Sequence, residues 1–222
     1  MALVAEEHPV IGNRFLTDAE ITKISAAVKK AEVGTSGEIV PMIVRRSSVI
    51  GHLPFYVGLI VFSLVSLALL EWSQLWVRSW WGLPIAGVFL ICFLIGAVLS
   101  RSMVIQRWLI PAQDREFQVW NRAHAEWSAN HLKHTEKRTG ILLFVSIMER
   151  KAIILADEGI AKYYPESTWQ EVIDILSAHL HRKEWSKGFE SAVERCGEIL
   201  RTHLPAQAVN KNEISDRIII KD

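Results

Sequence analysis

Two long runs without a charged side chain constrain this chain more than any other feature. No Asp, Glu, Lys or Arg occurs from Ser47 to Leu70, and none from Ser79 to Ser100. A helix needs about 20 apolar residues to cross the hydrocarbon core of a bilayer, and each run meets that length. Pro54 and Pro84 fall in the first turns, where a missing N–H costs little. Trp72, Trp76, Trp80 and Trp81 crowd the connection, and aromatic rings favour the headgroup region. The sequence therefore predicts a two-helix transmembrane hairpin over 47–110, with spans at about 53–71 and 80–100.

The flanks of the hairpin set its orientation. Arg45 and Arg46 precede the first span, and Arg101, Arg107 and Arg115 follow the second. The connection carries Arg78, offset by Glu71. The positive-inside bias puts both termini and the soluble part in the cytoplasm, which describes an integral protein of a bacterial inner membrane in contact with membrane lipid. Gly58, Gly82, Gly87 and Gly96 are small enough to let the two helices approach closely. Residues 1–16 hold two glutamates, a histidine and a proline where a secretory signal has a basic and then an apolar stretch, so no such signal is expected. Formal net charge is +1, without the basic excess of a nucleic-acid binder, so no nucleic-acid partner is expected. Cys92 and Cys196 read as separate buried thiols.

Soluble elements flank the hairpin. Thr17 and Glu20 form a capping box that opens a helix over 17–33, with Ile21, Ile24, Val28 and Ala31 on one face. Glu38–Val44 reads as a strand, which Pro41 places at an edge or bulge. Beyond the hairpin, Asp114–His134 has helical period, with Phe117, Trp120, His124, Trp127 and His131 on one stripe. Ile141–Ile147 and Ala152–Ala156, joined by Met148-Glu-Arg-Lys151, read as an antiparallel pair. Ser167 and Gln170 suggest a second capping box before a helix carrying Trp169, Val172, Ile173, Leu176 and Leu180. A last helix carries Phe189, Val193, Cys196, Ile199, Leu200 and Leu204, and Ile218–Ile220 reads as an added edge strand. Neither flank can build a core alone. The expected fold is thus one α/β domain, a small mixed sheet flanked by helices, made of 1–46 and 111–205, interrupted by the hairpin and ending in a polar tail, 206–222.

Thr35-Ser-Gly-Glu-Ile39, Thr139-Gly-Ile-Leu-Leu-Phe-Val-Ser146, Glu149-Arg150 and Ile153-Ile-Leu-Ala-Asp-Glu-Gly-Ile160 together resemble the TPM domain family. The resemblance covers about residues 17–204 without the hairpin. It implies a small mixed sheet between helices. It also implies activities found among members, which include acid phosphatases, calcium binders and assembly or repair factors. The chain departs from the family in three ways. Its hairpin lies inside the domain, its charges place the domain in the cytoplasm, and its turn Lys133–Arg138 is basic where members often have Asn and Asp.

The residues alone offer several sites. Glu38, Asp157 and Glu158 are candidates for an oxygen-rich site for a divalent cation, calcium or magnesium, at one sheet end; solvated turn charges are the alternative. Glu149 and Arg150, at the other end of the same hairpin, form a structural or functional turn pair. One strand length separates the two pairs, about 20 Å for six residues. His131 and His134 are weak metal candidates, since His124 lies too far along the helix to join His131 on one ion. Thr35-Ser-Gly37 lacks the glycines and lysine of a phosphate loop and reads as a turn. No nucleophile–base pair is recognisable. The expectation is an interaction or assembly module working with a membrane protein or a second copy of itself. A cation-dependent phosphatase, from the resemblance, and a self-assembling scaffold remain open.

Overall fold

The computed structural model describes residues 16–48, 51, 53–70, 82–130, 137–206 and 213–221. Trp72, Trp76, Trp80, Trp81, His131, His134 and most of the basic turn at 133–138 lie outside the described residues. The chain divides into two compact units, Met1–Ser47 with Glu116–Asp222, and Ser48–Arg115.

In the first unit, α1 (Asp18–Glu32) opens with the predicted capping box. The Thr17 N–H donates to Glu20 Oε2 at 2.8 Å, and the Glu20 N–H donates to Thr17 Oγ1 at 3.3 Å. The sheet has the order β3-β2-β1-β4, from β1 (Glu38–Val44), β2 (Gly140–Ser146), β3 (Lys151–Ala156) and β4 (Ile219–Lys221). β1 runs parallel to both β2 and β4, while β3 runs antiparallel to β2. The mixed α/β sheet is as expected. Strand alternation sends Ile39, Ile43, Ile141, Leu143 and Val145 to one face, where they pack on α1, α7 (Gln170–His181) and α8 (Trp185–His203). Val40, Met42, Val44, Leu142 and Phe144 go to the other face, against Val119, Ala123 and Trp127 of α5 (Ala112–Ala129).

Pro41 fits a nearly central strand because β1 has two unequal sides. The Glu38 N–H donates to Thr139 O on the β2 side, whereas the Arg45 N–H donates to Lys221 O on the β4 side. Pro41 shares the parity of Arg45, so its missing donor belongs to the β4 side, where pairing begins only at Met42. On that side β1 is still an edge at residue 41.

Two helical readings need correction. On α5 the buried residues are Val119, Ala123, Glu126 and Trp127, while Phe117 and Trp120 are exposed. The large aromatics suggested the wrong stripe; the small Ala123 sits in it because the helix lies close on the sheet. The helix is described over Ala112–Ala129, and 131–134 of the expected stretch lie outside the described residues. Ser167 and Gln170 form no capping box. Glu166–Trp169 is a 3-10 turn, and Gln170 Nε2 donates forward to Asp174.

The second unit holds α2 (Leu53–Leu70), α3 (Gly82–Leu99) and α4 (Met103–Leu109). A Cβ on Gly96 would lie 2.6 Å from Gly58 Cα, so the two backbones touch there. Phe62 and Phe89 meet edge to face at 5.2 Å. Gly87 has no such neighbour. Among the described residues no single helix is long and apolar enough to cross a membrane. Pro54–Leu67 is short, and Gly87–Leu99 gains the length only together with Met103–Leu109, across a bend of 99°. What the structure shows in place of the expected transmembrane spans is a closely packed helical hairpin.

Candidate functional site

The N-terminal end of β2 gathers the acidic residues. Glu38 pairs across the sheet with Gly140, and the Asp157 N–H donates to Gly140 O, so the two carboxylate residues flank a glycine. Strand parity puts both on the face of α5, with two strand spacings, about 10 Å, between their backbones. Both are buried, at 4% and 6% exposure, and Glu38 Oε2 and Asp157 Oδ2 find no hydrogen-bond partner among the described residues. Asp157 Oδ1 accepts from the Glu158 N–H and caps α6 (Glu158–Ala161). Gly159 completes this turn under close backbone. A Cβ there would overlap the Lys137 and Arg138 carbonyls, which accounts for the glycine after Asp-Glu. Glu158 does not join its neighbours, because it forms a surface ion pair with Arg138. Of the three predicted cation ligands, Glu38 and Asp157 lie on either side of Gly140 at one sheet end, while Glu158 turns to Arg138.

Glu38 also belongs to a second acidic group that sequence reasoning missed. Its Oε1 accepts from the Glu213 N–H at 3.4 Å, and burial, followed by the nearby Glu213 and Asp216, raises its pKa despite backbone donors. Glu32 Oε1 accepts from the Ile39 N–H at 2.7 Å, occupying the side of β1 that β4 does not reach. Burial is the largest cause pushing the Glu32 carboxyl up to about 8, with Glu38 and Asp216 adding to it and the Ile39 bond opposing it. Glu32 is therefore largely protonated at neutral pH and hydrogen-bonded to Asp216. One signal was visible in the sequence: Glu32 ends a helix, where the dipole disfavours an anion.

At the opposite sheet end Glu149 is buried and structural. Its carboxylate accepts from the Ser47 N–H at 3.1 Å and from the Ser146 hydroxyl. Arg150, the next residue, adopts a positive φ of 53°. Cys196 is wholly buried and its thiol is pushed up to about 12, which makes it inert as a nucleophile.

A calcium ion takes six to eight oxygens at about 2.3–2.6 Å. Two carboxylates on either side of a glycine do not supply that set, and among the described residues no three His, Cys, Asp or Glu could hold a metal ion. The donor set does not fit a complete calcium centre, and no reaction step follows from one.

Comparison with known proteins bears on the second half of the chain. Residues 110–199 match the TPM domain. The matched stretch runs through β2, β3 and α5 to α8, and β1 joins it by pairing with β2 along its whole length. The fold is similar to the BA42 protein of the psychrophilic bacterium Bizionia argentinensis, known from an NMR structure. The TM-score is 0.58 at 16% identity, covering 94% of this chain and 97% of that one. At that identity the likeness establishes fold alone. No curated protein matches the chain.

Proposed function

We propose that this TPM-domain chain is anchored in a membrane by its helical hairpin and acts there as an interaction or assembly module. The observation that carries the reading is the uncovered apolar surface of α2 and α3. Phe55, Tyr56, Leu59, Ile60, Leu64 and Leu67 are exposed on one helix, and Leu90, Ile91, Leu94, Ile95 and Val98 on the other. So large an apolar surface is a liability in water and ordinary in lipid, which is as apolar as leucine. Neither helix alone has the length and apolar run of a full span, so the anchor rests on the packed pair together with the bent continuation of α3 into α4. After α3 the chain bends by 99° into α4, where Trp108 is 85% exposed beside Arg107, a composition suited to the headgroup region.

Flotation with phosphatidylcholine vesicles after alkaline carbonate extraction tests the anchor. Retention with the vesicles is expected, and release into the supernatant overturns it. Crosslinking in native membranes tests the module. A stoichiometric membrane-protein partner, or a second copy, is expected; a chain recovered alone overturns the role. Light scattering in detergent separates the two, since a self-assembling scaffold would not run as a monomer.

A second reading, the divalent-cation-dependent phosphatase that the family resemblance implies, would need ligands beyond Glu38 and Asp157, whose Oε2 and Oδ2 are buried without a partner among the described residues. In that case calcium or magnesium raises phosphomonoester turnover, and Asp157→Asn lowers it at least about tenfold. Turnover unchanged by Asp157→Asn removes this site from consideration.

A further inference from the structure

The sheet end opposite the acidic residues carries a cavity of 280 Å³, formed between the β2–β3 turn and the corner joining α7 to α8. Its charged lining is wholly basic. Arg150 and Lys151 come from the turn, His181 and Lys183 from the corner, and no Asp or Glu lines it. Lys151 is engaged by Glu116 at 3.0 Å, and His181 Nδ1 lies 2.7 Å from Ser177 O. Arg150 and Lys183 have no ion-pair partner among the described residues. Ile147, Leu180 and Trp185 supply an apolar side.

The backbone at the two free cations is the telling feature. Lys183 follows the α7 terminus at φ 62°, with its N–H donating to Leu180 O and the Glu184 N–H donating to His179 O. That is the Schellman arrangement, whose left-handed residue is usually glycine. Arg150 holds the corresponding left-handed place in the β2–β3 turn, at φ 53°. Glycine would relieve strain at both. Instead each position carries a long cation, and both line the same cavity. Two turns from distant parts of the sequence each place a left-handed basic residue in the lining of this cavity, whereas Arg138, the third such residue among those described, pairs with Glu158; strain of this kind gathers at binding sites.

We propose that this cavity binds the phosphate head of an anionic amphiphile, with Arg150 and Lys183 on the phosphate and Ile147, Leu180 and Trp185 against the adjoining carbons. Arginine matches phosphate oxygens with paired donors, and lysine adds a point charge. The volume is at the low end for a small-molecule site, enough for a headgroup and its first carbons. A membrane phospholipid and a soluble phosphate ester both carry this chemistry, and the apolar side favours the lipid.

The proposal does not depend on the hairpin crossing a bilayer, because it is tested on the full chain in uncharged detergent. Calorimetric titration compares dihexanoyl phosphatidylglycerol, dihexanoyl phosphatidylcholine and glycerol phosphate. Phosphatidylglycerol should bind, with each of the other two weaker by about tenfold or more. The double variant Arg150→Asn, Lys183→Asn keeps residues that tolerate the left-handed backbone and should lose at least about tenfold in affinity with an unchanged melting temperature. Absence of phosphatidylglycerol binding, or equal binding by the folded double variant, overturns the site. Glycerol phosphate binding as tightly as the lipid overturns the amphiphile and leaves a soluble ester in its place. A variant that melts early is replaced by Lys183→Gly alone, which relaxes the backbone while removing the charge; unchanged affinity there also overturns the proposal.

Discussion

Glu32 stands where a strand would otherwise hydrogen-bond to Ile39, and a neutral carboxyl suits that place. Its proton has a consequence for stability. The unfolded group titrates near 4.5 and the folded one at about 8. Between those values the native state binds a proton that the unfolded state lacks, so stability falls as pH rises through the window and levels off above it. The slope from this group is at most about 1.4 kcal/mol per pH unit. Glu32→Gln removes the titration and keeps the amide–oxygen contact to Ile39. Urea unfolding at pH 5, 7 and 9 should show wild type losing stability across the series and the variant losing less; parallel curves would contradict it. Interactions within one turn, such as Thr17 with Glu20, were legible in the sequence because both partners sit in the same short window. Glu32 was not, since its partner Asp216 comes from the far end of the chain.

At the scale of elements, burial decided what periodicity left open. Strands β1 to β3 were readable because runs such as Ile-Leu-Leu-Phe-Val are apolar throughout and their ends carry turn residues. The orientation of α5 was not, because two of its three large aromatics, Phe117 and Trp120, face outward while the small Ala123 is buried with Trp127. Helix pairing in the second unit rests on two glycines of the four that the sequence offered. Gly96→Leu would force the Gly58 backbone away and separate α2 from α3 by about 2 Å, toward the ordinary interaxial distance. Cysteines placed at 62 and 89, joined by a short bifunctional thiol crosslinker, should react faster in the native background than beside Gly96→Leu. Equal rates would show that the glycine contact does not set the pairing.

On the scale of the whole molecule, both ends of the interruption meet one turn. Ser47 Oγ donates to Ser146 Oγ at 2.8 Å, and Lys151 Nζ bonds Glu116 Oε1 at 3.0 Å, while Ser146 and Lys151 are register partners across β2 and β3. The first unit therefore closes on itself without residues 48–115. Replacing them with a short Gly-Ser linker should leave a soluble unit that unfolds in one cooperative transition, monitored by circular dichroism; a chain without cooperative unfolding would mean that the second unit is needed for folding. The charge-free runs themselves were legible in the sequence. The convergence of their ends was not, because it depends on side chains of four separate segments.

That closure also dictates an order of events during synthesis. β1 is made early, yet its partner β2 begins only at Gly140, and β4 comes last. At about 5–20 residues per second, the hundred or so intervening residues keep β1 waiting for roughly 5–20 s. Throughout that interval a strand that is apolar after Glu38 has no sheet to join. Pro41 shortens its stretch of unpaired donors, and α1, already complete, can fold back over Ile39 and Ile43. The N-terminal helix is thereby a cover for the nascent strand before it becomes part of a finished core.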